Sequence, residues 1–140
     1  MNYLLFEILK IEVKTSLLLF FFISLNFPSL GQSGNFLDRT KLALKSGNSQ
    51  KLSQLMGEKV QIGFEGESAM LAQKDAENKL TIFFKTNPPT EVSQLFQGQS
   101  KDGKQYFIGK LKSVNGEFRV SVYWSETTNN QMISIDISKE

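Results

Sequence analysis

Apolar and polar side chains alternate most clearly from Lys104 to Ser138, KQYFIGKLKSVNGEFRVSVYWSETTNNQMISIDIS, where three antiparallel strands are predicted. Asn115-Gly116 separates two alternating runs. A type I′ turn needs positive φ at both central residues, which Asn and Gly tolerate best. A two-residue loop there sets Val114 opposite Glu117, Ser113 opposite Phe118, Leu111 opposite Val120, Gly109 opposite Val122 and Phe107 opposite Trp124. Side chains alternate with period 2, so these residues share one side of the pleat, and that side is nearly all apolar. The other side carries Tyr106, Ile108, Lys110 and Lys112 against Ser125, Tyr123, Ser121 and Arg119. A second two-residue loop at Asn129-Asn130 sets Trp124 opposite Ile135 and Val122 opposite Ile137. It adds Ile133, Ile135 and Ile137 to the apolar face, and Ser134, Asp136 and Ser138 to the polar one. A one-residue slip would invert either hairpin, and both turns agree on one buried face. That face needs a cover, which only the upstream helices can supply.

Phe36 to Ser46 places Phe36, Leu37, Ala43 and Leu44 at helical spacing and ends at Gly47, a left-handed C-cap. Asn48 or Ser49 caps a second short helix with Leu52, Leu55 and Met56 in one stripe, closed by Gly57. Lys59 to Phe64 alternates, with Val60, Ile62 and Phe64 on one side of a strand, and Gly66 to Ser68 is a turn. A long helix follows from about Gln73 to Thr86, with Ala76, Leu80, Phe83 and Phe84 on its apolar face. Asn87-Pro88-Pro89 stops it, because the residue before a proline avoids the α region and proline lacks a donor. Val92 to Gln99 is a further strand, turned into the meander by Ser100 to Gly103. The predicted class is α+β: two helices, a strand, a long helix, then four antiparallel strands.

Composition adds a destination. No charged residue occurs from Thr15 to Leu37, Lys10 and Lys14 precede the run Leu17–Leu25, and Ser29-Leu30-Gly31 offers small residues at a cleavage site. Residues 1–31 therefore read as a secretory signal peptide and residues 32–140 as one domain. The apolar run is about half the ~20 residues a spanning helix needs, so no stable membrane anchor is expected after leader removal. Glu7 and Glu12 are out of character in such a leader, which puts the expected translation start nearer Val13. With 140 residues, no Cys and a formal charge of +2, the chain has no disulfides or lipid-acceptor cysteine, and the charge excess is too small to argue for nucleic acid. The expected product is soluble in the periplasm or secreted.

The ordered set of motifs resembles a known family. Ser46-Gly47-Asn48 with Leu52 and Leu55, Ala76-Glu77 with Leu80, Phe83 and Phe84 before Asn87-Pro88-Pro89, Gly98, Tyr106-Phe107-Ile108-Gly109 with Leu111, and Asn115-Gly116 with Phe118-Arg119-Val120 carry the resemblance. Together they are similar to the nuclear transport factor 2-like superfamily, also described as cystatin-like. More narrowly, they resemble a family of small exported bacterial proteins known as a domain of unknown function. The resemblance implies a curved sheet wrapping the long helix, a cone-shaped cavity between them, and frequent dimerisation through the sheet. It implies no reaction, since members range from isomerases and dehydratases to binding modules.

The absence of His and Cys removes imidazole bases, most zinc sites and thiolate chemistry, and no glycine-rich phosphate loop is present. No metal or cofactor is expected. Enzymes on this fold use an Asp base with a Tyr or second acid in an apolar pocket. Tyr123 and Asp136 become cross-strand neighbours in the register above, but on the polar face, where an exposed hydrogen-bonded pair is the plainer reading. Glu77 on the long helix reads as a solvated charge. The cavity side offers Phe83, Phe84, Phe96, Phe107, Trp124 and Ile135, either as core or as the lining for a small apolar ligand. On the outer face Lys104, Lys110, Lys112 and Arg119 interleave with Tyr106, Ile108 and Tyr123, a mixture that single-stranded nucleic acid can use, though an exported protein seldom meets it. Tyr106, Ile108, Tyr123 and Met132 fit a partner surface better, most directly a homodimer through the sheet. The expected function is a non-catalytic binding or interaction module. The alternatives are an isomerase-like enzyme using a carboxylate and Tyr, and a structural envelope homodimer.

Overall fold

The structure is a computed structural model in which residues 35–140 are described, so the leader and its start lie outside the described residues. Helix α1 is Phe36–Lys45, capped by Asn35, whose side chain accepts from the Asp38 amide at 2.9 Å. Its far end is a Schellman motif: Gly47 has φ of 60°, its N–H reaches Leu44 O at 3.1 Å, and Asn48 N–H reaches Ala43 O at 2.9 Å. Asn48 then caps α2, Ser49–Ser53, by accepting from the Lys51 amide at 2.8 Å. That helix is shorter than the Leu52–Met56 stripe implied, because Met56 already opens strand β1, Met56–Phe64.

Strand β2, Glu67–Ala72, was not legible in the sequence. Five of its six residues are exposed, so no alternation marks it. It forms a hairpin with β1 across Glu65-Gly66, whose φ values of 52° and 85° are the two positive angles of a I′-type loop. Helix α3, Gln73–Thr86, buries Ala76, Leu80 and Phe84 at four-residue spacing and ends at Asn87 before the prolines. Strands β3 (Pro89–Gln99), β4 (Gln105–Ser113), β5 (Gly116–Ser125) and β6 (Gln131–Lys139) form the antiparallel meander. The six-stranded sheet runs β2-β1-β6-β5-β4-β3, with β1 parallel to β6.

Both meander registers differ from expectation by two residues along the partner strand. Observed pairs are Leu111 with Phe118, Gly109 with Val120 and Phe107 with Val122, because the loop is Val114-Asn115 and only Gly116 takes positive φ. The Ser113 hydroxyl shapes this turn by accepting from the Asn115 amide at 3.1 Å, and Asn115 Nδ2 ties the loop to Thr86 O at the end of α3. In the next hairpin, a 3-10 turn at Glu126–Thr128 and two left-handed residues, Asn129 and Asn130, replace the two-residue loop. Val122 therefore faces Ile135, and Trp124 faces Met132. A shift of two keeps every side chain on its own face, so the buried face survives the wrong pairings.

Two irregularities do change faces. Between Tyr123 and Trp124 the partner strand carries an extra residue, so Met132 turns inward to full burial while Ile133 turns half out. In β3 the register shifts between Gln94 and Phe96, which turns Phe96 outward beside Ile108. The inner face, covered by the helices, holds Val60, Ile62, Phe107, Leu111, Phe118, Val120, Val122, Trp124, Ile135 and Ile137 in one core with Leu44, Leu52, Leu80 and Phe84.

Candidate functional site

The inner face has two ends of different chemistry. At one end Phe83 sits 5.1 Å edge-on to Phe118, 5.4 Å from Phe64 and 5.5 Å from Phe84, so aromatic rings fill the space under α3. At the other, α1 rather than α3 supplies the cover. Phe36 stacks on Trp124 with ring centres 4.9 Å apart. Beyond this pair opens a cavity of about 290 Å³, lined by Asn35, Phe36, Leu37, Gln97, Gln105, Trp124, Glu126 and Asn130. A second concavity of about 390 Å³ flanks the far end of α3, against Phe64, Lys79, Ile82 and Phe83.

The six residues expected to line a hollow beneath the long helix therefore part company. Phe84, Phe107 and Ile135 are buried among core side chains. Phe83 lines the flank of α3, and Trp124 presents an edge to the mouth cavity. Phe96 is a correction: it is 62% exposed, because the β3 bulge turns it to the outer face.

On that outer face Phe96 pairs with Ile108, and Tyr106 pairs with Tyr123 at a ring separation of 5.9 Å. Gly98 leaves room for the Tyr106 ring, since a Cβ there would lie 2.9 Å from the phenol oxygen. Leu95, the bulged residue, adds exposed apolar surface at the β3 edge. Met132 does not belong to this surface; it is fully buried, for the reason given above. Below the aromatic patch the face is charged and internally paired. Lys110 Nζ lies 2.7 Å from Glu140 and 3.1 Å from Glu117, and these carboxylates, Glu140 first, raise its pKa. Lys112 meets Glu91 at 3.2 Å.

The candidate acids also change position. Asp136 pairs with Ser121 and Tyr123 with Ser134, so the two are diagonal rather than opposite. Glu77 is a tether between α2 and α3: one oxygen meets Lys74 Nζ at 2.9 Å and the other accepts from Ser53 Oγ at 2.8 Å. The Lys74 contact, then the Ser53 one, hold its carboxyl below the usual range. Among the described residues the buried polar side chains are Thr40 and Ser53, and Thr40 donates to Phe36 O within its own helix. Among the described residues, no group of acidic side chains is spaced to hold a metal ion, and no helix is long and apolar enough to cross a membrane.

Sequence reading missed the mouth cavity. The signal was present in one column: Leu111, Gly109 and Phe107 point inward on β4, and the next inward residue is Gln105. Gln97 joins it only through the β3 bulge, which alternation does not reveal.

Residues 37–138 match the family described as Domain of unknown function (DUF4783). A DUF4783 family protein from Bacteroides ovatus is 32% identical, with a TM-score of 0.68 over 73% of this chain and 93% of that one. A DUF4783 family protein from Bacteroides uniformis is 29% identical, with a TM-score of 0.70 over 76% of this chain and 98% of that one. An uncharacterized cystatin fold protein from Novosphingobium aromaticivorans, 10% identical with a TM-score of 0.53 over 73% of this chain and 93% of that one, is alike in fold alone. No curated protein matches the chain. By its sequence match and by its helices laid over a mixed six-stranded sheet, the chain belongs to the DUF4783 family and has a nuclear transport factor 2-like, cystatin-like α+β fold.

Proposed function

We propose that this protein is an exported, non-catalytic interaction module that docks through the outer face of its sheet onto a second copy of itself. The observation that carries this reading is the contiguous outer patch of Phe96, Ile108, Tyr106 and Tyr123, with Phe96 62% exposed. Large aromatic side chains mark interface centres, and a polar rim beside them is the usual arrangement. Here the rim contains both Lys110 and Lys112 and the acids Glu91, Glu117 and Glu140. A two-fold axis through the patch would set the same surface against itself, and mixed signs avoid like-charge repulsion. The inner layer supports the non-catalytic half, because among the described residues neither of the buried polar side chains, Thr40 and Ser53, is an acid or a base. The leader pattern of residues 1–31 supports export. Light scattering over a concentration series is the test, with a mass rising towards twice that of the chain expected. A strict monomer at high concentration would remove the homodimer.

A further inference from the structure

We infer that the mouth cavity between α1, β3, β4 and the β5–β6 turn is a binding site for a neutral polyhydroxyl ligand, one sugar ring in size. This site is distinct from the outer sheet face and does not depend on dimerisation. Its volume of about 290 Å³ lies just below the ~300–1,000 Å³ range of ligand pockets, which suits a single ring rather than an extended chain. Phe36 and Trp124 close its base, stacked on each other and only 6% and 5% exposed, so they give a ligand a small apolar contact.

The walls supply hydrogen bonds of both kinds. Gln97 Oε1 accepts from Gln94 Nε2 at 3.4 Å, which leaves the Gln97 amide donor for the cavity. Gln105 is half-buried and Glu126 and Asn130 are exposed, and all three line the cavity. An amide both donates and accepts, and a carboxylate accepts only, so the set matches hydroxyls, which do both. Gln105 sits inward on the strand next to Trp124, where the column above it is Phe107, Gly109 and Leu111. The amide there is half-buried, at the end of an otherwise apolar column.

Charge narrows the class. Among the described residues, Glu126 is the one charged lining residue and no Lys or Arg lines the cavity, so an anionic ligand meets a carboxylate with no cation to offset it. A lone carboxylate also lacks the acid–base pair that glycoside hydrolysis uses, so the site binds without cleaving.

The chain's one tryptophan lies at the base of the cavity, so its fluorescence reports occupancy directly. The experiment titrates the full chain with glucose, galactose and N-acetylglucosamine, and with phosphate and tetramethylammonium as an anionic and a cationic probe. A saturable change with at least one sugar and with neither ion is expected. Gln105→Ala combined with Glu126→Ala should weaken that binding about tenfold or more while circular dichroism stays unchanged, since both side chains lie outside the core. No saturable response to any of the sugars overturns the proposal. A response to tetramethylammonium equal to or stronger than that to the sugars would overturn it too, as would equal sugar binding by the folded double variant.

Discussion

The two faces of strand β4 differ in kind although they alternate residue by residue. Inward, Phe107 and Leu111 are fully buried, and Gly109 lies between them. Outward, Tyr106, Ile108, Lys110 and Lys112 are only half-buried, and their neighbours are another aromatic ring, an exposed Phe96 and paired charges. The inner face gains stability from area removed from water. The outer face keeps apolar area in water, which for a folded monomer is a cost without a return inside the chain. Comparing them separates what holds this protein together from what it offers to others.

Substitutions can break that comparison, and the largest effect belongs inside. Phe107→Ala should destabilise by roughly 3–5 kcal/mol, measured by urea unfolding, because a fully buried ring leaves a cavity. Trp124→Ala falls in the same range of about 3–5 kcal/mol, since only an edge of the indole is open. Full stability in either variant would mean the inner face is not the core.

Glycines on the two faces give a second contrast. A Cβ at Gly109 would lie 2.7 Å from the Ser93 carbonyl and would collide with the Phe107 ring, so Gly109→Ala should cost about 1–3 kcal/mol by overpacking. At Gly63 the colliding group is the Asp136 carboxylate on the outer face, which can swing into solvent. Gly63→Ala should therefore cost less than Gly109→Ala in the same unfolding assay, and the reverse order would contradict the assignment of faces.

These contrasts also show which features the sequence states. Period-2 alternation identified Phe107, Val122, Trp124 and Ile135 as inward together, and all four are buried. The face is robust because errors of two residues in register leave it intact, and both hairpins contained such errors. Turn chemistry was less readable. Asn115-Gly116 looked like the I′ loop, but Ser113 captures the Asn115 amide and moves the turn back by one residue, while Glu65-Gly66 takes the geometry unannounced. Bulges were invisible, and they decide Phe96 and Met132. Alternation assumes an unbroken ladder, and a single extra residue reverses every inference beyond it. The mouth cavity depends on the same bulge through Gln97, which is why reading single strands did not assemble it.

A smaller effect comes from the β3–β4 turn. Asp102 is hydrogen-bonded to Lys104 at 2.6 Å and to Ser100, and these contacts, Lys104 first, lower its pKa from 3.8 to about 2. A depressed folded-state pKa stabilises above the unfolded value and is lost as pH falls through the folded one. Stability should therefore decline between pH 4 and 2 through this group, by little because the turn is exposed. Asp102→Asn should flatten that part of the profile in acid unfolding curves; an unchanged slope would show that the turn contributes nothing.

The division between a stabilising interior and a recognising exterior is tested most directly by Phe96→Ser, followed by sedimentation equilibrium and urea unfolding on the same sample. The account predicts weaker self-association with a stability change within about 0.5 kcal/mol of the parent, as expected for an exposed side chain with no role in the core. Undiminished association, or a loss of stability comparable to that of Phe107→Ala, would contradict it.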